Sequence, residues 1–336
     1  MVRYIIRRLL WAVVLFIAVT LATYLIFYII PVNPARLAIG KAASPAEIKT
    51  VTHQLYLDRP IYIQYLHFLW QLVGHHNLGY SFANRQSVNS LVLAAAPITI
   101  SLVLGSVVVW MAVAVPVGVF SALHPRTVPD RIAMVTVLAG ISVHPVWLSI
   151  IAIYLIAYLP TTGHILGLHF PPFSIVPISG YCNFTGGSTG QICGGPWDWF
   201  HALILPWCVF AFLYAAFYVR MIRSSVMETL GEDYVRTARA KGAPERQVLV
   251  QHVLRNAMLP VVTMLGMDVA LALGGAILIE QVFSLPGLGY TAIHSLYNFD
   301  YPVTLGVVVF GSLCVIVLNL LVDLLYAWID PRIRLS

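Results

Sequence analysis

Six stretches of this 336-residue chain stay apolar for about the thickness of a bilayer, which leaves few folds open. They run over roughly 9–30, 98–123, 132–159, 202–221, 259–282 and 303–329. A helix needs about 20 mostly apolar residues to cross the hydrocarbon core. Lipid offers no partner for a free backbone N–H or C=O, so each run must be helical. Charge is scarce: 10% of the residues are Asp, Glu, Lys or Arg, against about 25% in an ordinary soluble domain. The expected fold is all-α and integral to a membrane, with six transmembrane helices.

The net charge of +6 does not point to nucleic acid, because of where the charges fall. In a six-span arrangement 14 of the 19 Lys and Arg lie on one side and 5 on the other. The positive-inside rule then places both termini in the cytosol. Residues 132–219 contain no Lys or Arg, as expected of two spans joined on the outer face. The first run is too long for a signal-peptide core and no small-residue cleavage site follows it, so it reads as a retained helix.

The predicted organisation is an N-terminal span (1–31), an extracytoplasmic helical segment (32–97), a five-helix core (98–330) and a cytosolic tail (331–336). In the outer segment Ser44-Pro45-Ala46-Glu47 forms a capping box with Pro at the first helical position. A second short helix is expected from Pro60, carrying Tyr62, Tyr65, Leu66, Leu69 and Val73 on one side, at the membrane surface. The outer loop at 160–201 is rich in Gly and Pro. Its Cys182 and Cys193 form a disulfide if that face is oxidising, or stay free thiols. No further ligand pattern surrounds them, so no metal site is expected.

Residues 223–258 interrupt the apolar pattern with charge on both sides of neutrality: Arg223, Arg236, Arg239, Lys241, Arg246 and Arg255 against Glu228, Glu232, Asp233 and Glu245. Gly231 ends the helix continuing from the fourth span. Glu232 and Asp233 favour a new helix N-terminus. That helix reaches about Lys241 and Gly242 breaks it. Pro244 starts another, running to about Ala257, and Pro260 opens the fifth span. Val235 and Ala238 are expected to face inward, with the charges outside.

The run Asp233-Tyr234-Val235-Arg236-Thr237-Ala238-Arg239-Ala240-Lys241-Gly242, with Leu254-Arg255-Asn256-Ala257 and Leu259-Pro260, resembles the coupling loop of ABC importer permeases. The likeness is greatest to the B-type permease subunit of dipeptide, oligopeptide and nickel importers. Further pieces agree: the Pro-x-Asn-Pro turn at 31–34, Leu57-Asp58-Arg59-Pro60, Asn77-Leu78-Gly79-Tyr80-Ser81, Pro286-Gly287-Leu288-Gly289 and Asp300-Tyr301-Pro302. The general importer signature begins with Glu-Ala-Ala three residues before the Gly. Arg236, Thr237 and Ala238 stand there, so that glutamate is absent.

The resemblance implies the type I importer permease fold and half of a translocation pathway for di- or oligopeptides across the cytoplasmic membrane. The same architecture would also suit a nickel chelate, haem or glutathione. It implies a second homologous permease, two ATP-binding subunits and an extracytoplasmic substrate-binding protein. It assigns contact with the ATPase to Asp233, Arg236, Thr237, Ala238, Arg239, Lys241, Gly242, Ala243, Pro244 and Glu245. None of the three lysines (Lys41, Lys49, Lys241) ends a phosphate-cradling loop. The expectation is a non-catalytic subunit without a cofactor of its own, with ATP and Mg on its partners.

Asp268 falls inside the fifth span, where a charge is costly. It either lines the pathway or makes an interhelical hydrogen bond. His144-Pro145 and Gly274-Gly275 allow bending, though close packing is the commoner use of such small residues. An ion-coupled secondary transporter would show inverted repeats, and an intramembrane enzyme paired acids or a zinc pattern. Neither is found in the sequence.

Overall fold

The computed structural model describes residues 2–29, 58–81, 83–162, 164–165, 168–169, 176–177, 179–184 and 194–329. The expected turn at 31–34, the capping box at 44–47, Cys193 and the C-terminal Arg332 and Arg334 lie outside them. In chain order the elements are α1 (Val2–Ile29), α2 (Ile61–His75), β1 (Tyr80–Ser81), β2 (Gln86–Ser87), α3 (Val88–Leu123) and α4 (Val128–Ser142). Then come α5 (Pro145–Ala152), a π-helical segment (Ile153–Tyr158), α6 (Leu159–Thr162), β3 (His164–Ile165), β4 (Leu168–His169) and α7 (Pro196–Leu230). The chain continues through α8 (Asp233–Ala240), α9 (Glu245–Gln247), a second π-helical segment (Val248–Leu254), α10 (Arg255–Phe283), α11 (Leu288–Tyr297) and α12 (Tyr301–Ile329). Among the described residues five helices are long and apolar enough to cross a membrane, or up to seven if two bent helix pairs count as spans.

The chain forms two compact units, Met1–Thr99 with Pro286–Ser336, and Ile100–Leu285. In the first, Val88, Val92, Ala95 and Ala96 of α3 bury against Leu288, Val303 and Val307. The crossing is tight because Gly306 has no side chain: a Cβ there would stand 2.4 Å from Val88 Cγ1. A β1–β2 hairpin pairs Tyr80 with Ser87 and Ser81 with Gln86. It brings the Ser81 hydroxyl to the buried Asp300 carboxylate, to which it donates. Burial pushes the Asp300 carboxyl above the usual carboxylate range, while that hydrogen bond and the Ala83 N–H pull the other way. Its Oδ1 is buried without a partner.

The aromatic face expected on α2 divides. Tyr65 is buried, and its hydroxyl lies 2.9 Å from Thr20 Oγ1 and 3.2 Å from the Ile17 carbonyl of α1. Gln64 is buried beside it and accepts from Tyr24 at 3.2 Å. Tyr62, Leu66 and Val73 are exposed, together with Trp70. Polar groups therefore tie α2 to α1, because a buried hydroxyl or amide needs a partner, and the apolar stripe is left outward.

In the second unit α7 is the most enclosed span. Small residues let its neighbours approach, as is usual between membrane helices. Trp207 of α7 fills the notch at Gly105, where a Cβ would stand 2.1 Å from its ring, and its Nε1 donates to the Ser101 carbonyl at 3.0 Å. Gly118 meets Ile222 and Gly140 meets Ala216 in the same way.

Three sequence expectations fail in the structure. The third apolar run is no single straight span, since α4 and the helix from Pro145 to Thr161 meet at 108°. Val143 and His144 are extended between them, as expected where Pro disfavours helical backbone in the residue before it. Conversely, Pro260 opens nothing. It lies inside α10, which is continuous with the second π segment. A proline in a helix frees the carbonyl four residues back, here that of the exposed Asn256. Gly274 is not a packing glycine either, for a Cβ there would meet nothing within 4 Å.

Candidate functional site

The charged interruption folds into a bent elbow of two short helices. α7 ends at Leu230, capped by Gly231, and Glu232 is the N-cap of α8. After α8 the chain reverses at Gly242, whose φ is +81°. The Gly242 N–H donates to the Arg239 carbonyl at 2.9 Å and the Ala243 N–H to the Ala238 carbonyl at 3.3 Å. That is the Schellman arrangement, which needs left-handed backbone at the glycine position and satisfies the last helical carbonyls. Pro244 then serves as N-cap of α9, its carbonyl accepting from Gln247 at 2.8 Å and Val248 at 3.0 Å.

A thin apolar underside holds the elbow down. Val235 of α8 and Val248 and Val253 of the π segment have no exposed surface, and α8 packs on that segment. Tyr234 reinforces the contact by accepting from Asn256 Nδ2 at 2.9 Å. The residues assigned to ATPase contact share the outer side. Asp233, Arg236, Thr237, Arg239, Lys241, Gly242, Pro244 and Glu245 are exposed; Ala238 and Ala243 are half-buried. Arg239 bridges the turn to Glu245 with Nε–Oε1 at 2.9 Å and Nη2–Oε2 at 3.3 Å. Arg236 pairs loosely with Asp233 at 3.7 Å. Exposed pairs of this kind contribute about 0–1 kcal/mol. They fix the shape of a charged ridge far more than they stabilise the fold.

Arg223, grouped with these charges in the sequence, belongs elsewhere. It holds Asp130, at the start of α4, through Nε–Oδ1 at 2.7 Å and Nη2–Oδ2 at 3.0 Å. Asp130 also accepts the Arg126 N–H at 2.9 Å and is nearly fully buried. The fork of two parallel bonds fixes direction as well as distance, so α4 and α7 are pinned where the elbow begins. No periodicity links positions 93 apart in the chain, and only the third dimension reveals the pair.

Asp268 makes the interhelical bond that the sequence left open: Tyr218 of α7 donates to Oδ2 at 2.7 Å. Cys182 is disulfide-bonded, while Cys208 and Cys314 are free.

Long apolar helices, a sharply bent third apolar run and a charged elbow with an apolar underside together mark a polytopic membrane protein. Residues 114–335 match the family model described as binding-protein-dependent transport system inner membrane component, and residues 1–103 match the corresponding N-terminal model. The dipeptide transport system permease protein DppB of Escherichia coli strain K12 is 38% identical over 339 residues, covering 99% of each chain. A putative peptide permease protein of Brucella ovis is 36% identical over 341 residues, covering 100% of each. A putative peptide transport system permease protein of Brucella abortus strain 2308 is 34% identical over 334 residues, covering 99% of each. The chain therefore belongs to the family of binding-protein-dependent inner-membrane transport components, the permease subunits of ABC importers, with the type I permease fold.

Proposed function

We propose that this chain is a non-catalytic permease that forms half of a pathway for di- or oligopeptides, driven by ATP hydrolysed on other subunits. The observation that carries the reading is the elbow, whose charged ridge is stiffened across Gly242 and rooted on Val235, Val248 and Val253. A separate ATPase can grip such a feature and push on α10, with which the elbow is continuous. The peptide cargo follows from the relatives, whose names specify dipeptide or peptide transport. None of the three lysines ends a phosphate-binding loop, which is consistent with ATP and Mg residing on partners.

In this reading two ATP-binding subunits dock on Asp233, Arg236–Arg239 and Lys241–Glu245 of this chain and on the matching elbow of a second, homologous permease. An extracytoplasmic binding protein delivers the peptide. Both termini are cytosolic, following the 14-to-5 distribution of basic residues. Cys182 pairs with Cys193 on the outer face, within the Gly-rich loop.

The test is reconstitution. The chain should co-purify with its ATPases, and the complete assembly should accumulate peptide in vesicles only with ATP and binding protein present. Uphill uptake by vesicles lacking the ATPases would overturn the reading. So would an assembly that hydrolyses ATP in response to its binding protein yet moves no peptide.

A further inference from the structure

The polarity of α2 is inverted relative to a helix in water. Its polar side chains turn toward the protein, with Gln64 5% and Tyr65 8% exposed. Gln64 donates to the Arg59 carbonyl at 2.8 Å and accepts from Tyr24 at 3.2 Å. The Tyr65 hydroxyl meets Thr20 and the Ile17 carbonyl, and Gln71 Nε2 lies 3.0 Å from His67 Nε2. The apolar side chains turn the other way. Tyr62, Leu66, Trp70 and Val73 recur at helical spacing and are between 61% and 69% exposed. A helix at a protein surface in water buries such a stripe and solvates its amides. The reverse arrangement suits surroundings that offer no hydrogen bonds.

The depth of the contact says what those surroundings are. The apolar run of α1 is Ile6–Ile26, 21 residues, about the thickness of the hydrocarbon core. Thr20 lies six residues inside its Ile26 end, about 9 Å along the helix axis, and Ile17 lies deeper. The Tyr65 hydroxyl reaches that level. The rings of Tyr65 and Phe68 lie against Tyr24, with centres 5.6 and 5.8 Å away. Leu21, Leu25 and Ile26 of α1 are exposed over the same stretch. The stripe of α2 therefore continues the lipid-facing surface of a membrane span. Its make-up fits acyl chains better than a partner helix. Contacts between membrane helices favour small residues, and these four are bulky. Two of them, Tyr62 and Trp70, are of the types enriched where acyl chains meet headgroups.

We infer that α2 is a lipid-embedded anchor, sunk into one leaflet without crossing it, with Tyr62, Leu66, Trp70 and Val73 against acyl chains and its polar side against α1. The leaflet is the outer one when both termini are cytosolic. This is deeper than the surface position expected from the sequence, and it does not depend on the cargo. The anchor has a structural consequence. Asn89 of α3 donates to the His76 carbonyl at 2.5 Å and accepts the Leu78 N–H at 2.8 Å. The lipid contact of α2 thereby sets the level at which the β1–β2 hairpin and the start of α3 are held.

The experiment places a nitroxide on Leu66→Cys in the complete assembly in phospholipid vesicles, with the free Cys208 and Cys314 replaced by Ala. Oxygen, which concentrates in hydrocarbon, should relax the label several-fold more than a water-soluble chromium complex does. The reverse order means that water covers the stripe and overturns the inference. Weak relaxation by both means that protein covers it, from the second permease or another part of this chain, and overturns it equally. Trp70 gives a second readout that keeps the test alive if the labelled assembly does not form. Its emission is the difference between the wild-type assembly and Trp70→Phe. Lipids brominated on their acyl chains should quench most of that difference, and aqueous iodide should quench little of it. A Trp70 signal that iodide quenches and brominated lipid does not, or that neither quenches, overturns the inference.

Discussion

The turn at Gly242 and the turn before α12 both carry an acid, and they use it in opposite ways. Glu245 stands exposed beside Gly242, forked to Arg239, which is exposed to a lesser degree. Asp300 is buried, takes the Ser81 hydroxyl and leaves Oδ1 unpartnered. A charge in water contributes little to folding, so the elbow's acids and bases are free to serve recognition. An acid inside the protein is costly unless satisfied, so Asp300 binds the hairpin to the start of α12 and offers nothing to a partner. The comparison predicts two separable phenotypes, lost coupling with the fold intact and lost stability with the elbow intact.

The largest effect should come from Gly242→Val. Left-handed backbone costs a residue with a Cβ about 1–2 kcal/mol, and a β-branched side chain more, so the turn reopens. Peptide uptake should fall to background while membrane insertion and the melting temperature of the detergent-solubilised protein change little. Normal uptake would remove the docking role. Next is Gly306→Leu. Forcing side-chain atoms into the contact with Val88 should cost about 1–3 kcal/mol or more by overpacking. It should be read as a fall in melting temperature, with co-purification of the ATPase retained by whatever protein folds.

A smaller and sharper test exchanges Arg239 and Glu245 for one another. The pair is restored in reverse, so stability should shift by less than about 1 kcal/mol, yet ATPase binding should weaken because the ridge shows the wrong signs. Wild-type binding by the exchange variant would make the pair structural, erasing the contrast drawn here. The smallest effect concerns pH. A carboxyl whose folded-state pKa is raised contributes stability below its unfolded-state value, and loses it as pH rises through the folded-state value. Thermal stability should therefore decline as pH rises through the range just above about 4, the ordinary Asp value. Asp300→Asn should flatten that slope without changing uptake.

Much of the elbow was legible in the sequence. Gly231, Gly242 and Pro244 punctuate it where a helix must end, reverse and restart, and Val235 is the buried residue of α8 as its position implied. Ala238 turned out only half-buried. The continuity from α9 into α10 was not legible, because Pro260 reads locally as a start signal while the helix tolerates it where Asn256 is exposed. The divided face of α2 was also hidden. Apolar spacing alone groups Tyr65 with Tyr62 and Leu66, and only the presence of Thr20 and Ile17 on α1 draws its hydroxyl inward.

The sequence by itself determined that the chain lives in a bilayer, which runs of it are helical, and where the charged elbow turns. Those follow from local rules: lipid satisfies no backbone polar group, and Gly and Pro restrict φ and ψ wherever they occur. Only the tertiary structure decided that α12 packs with the start of α3, that Arg223 serves Asp130 rather than the elbow, and that Tyr218 holds Asp268. Such pairings join positions 50 or more residues apart, and their energy depends on distances and burial that no local pattern encodes.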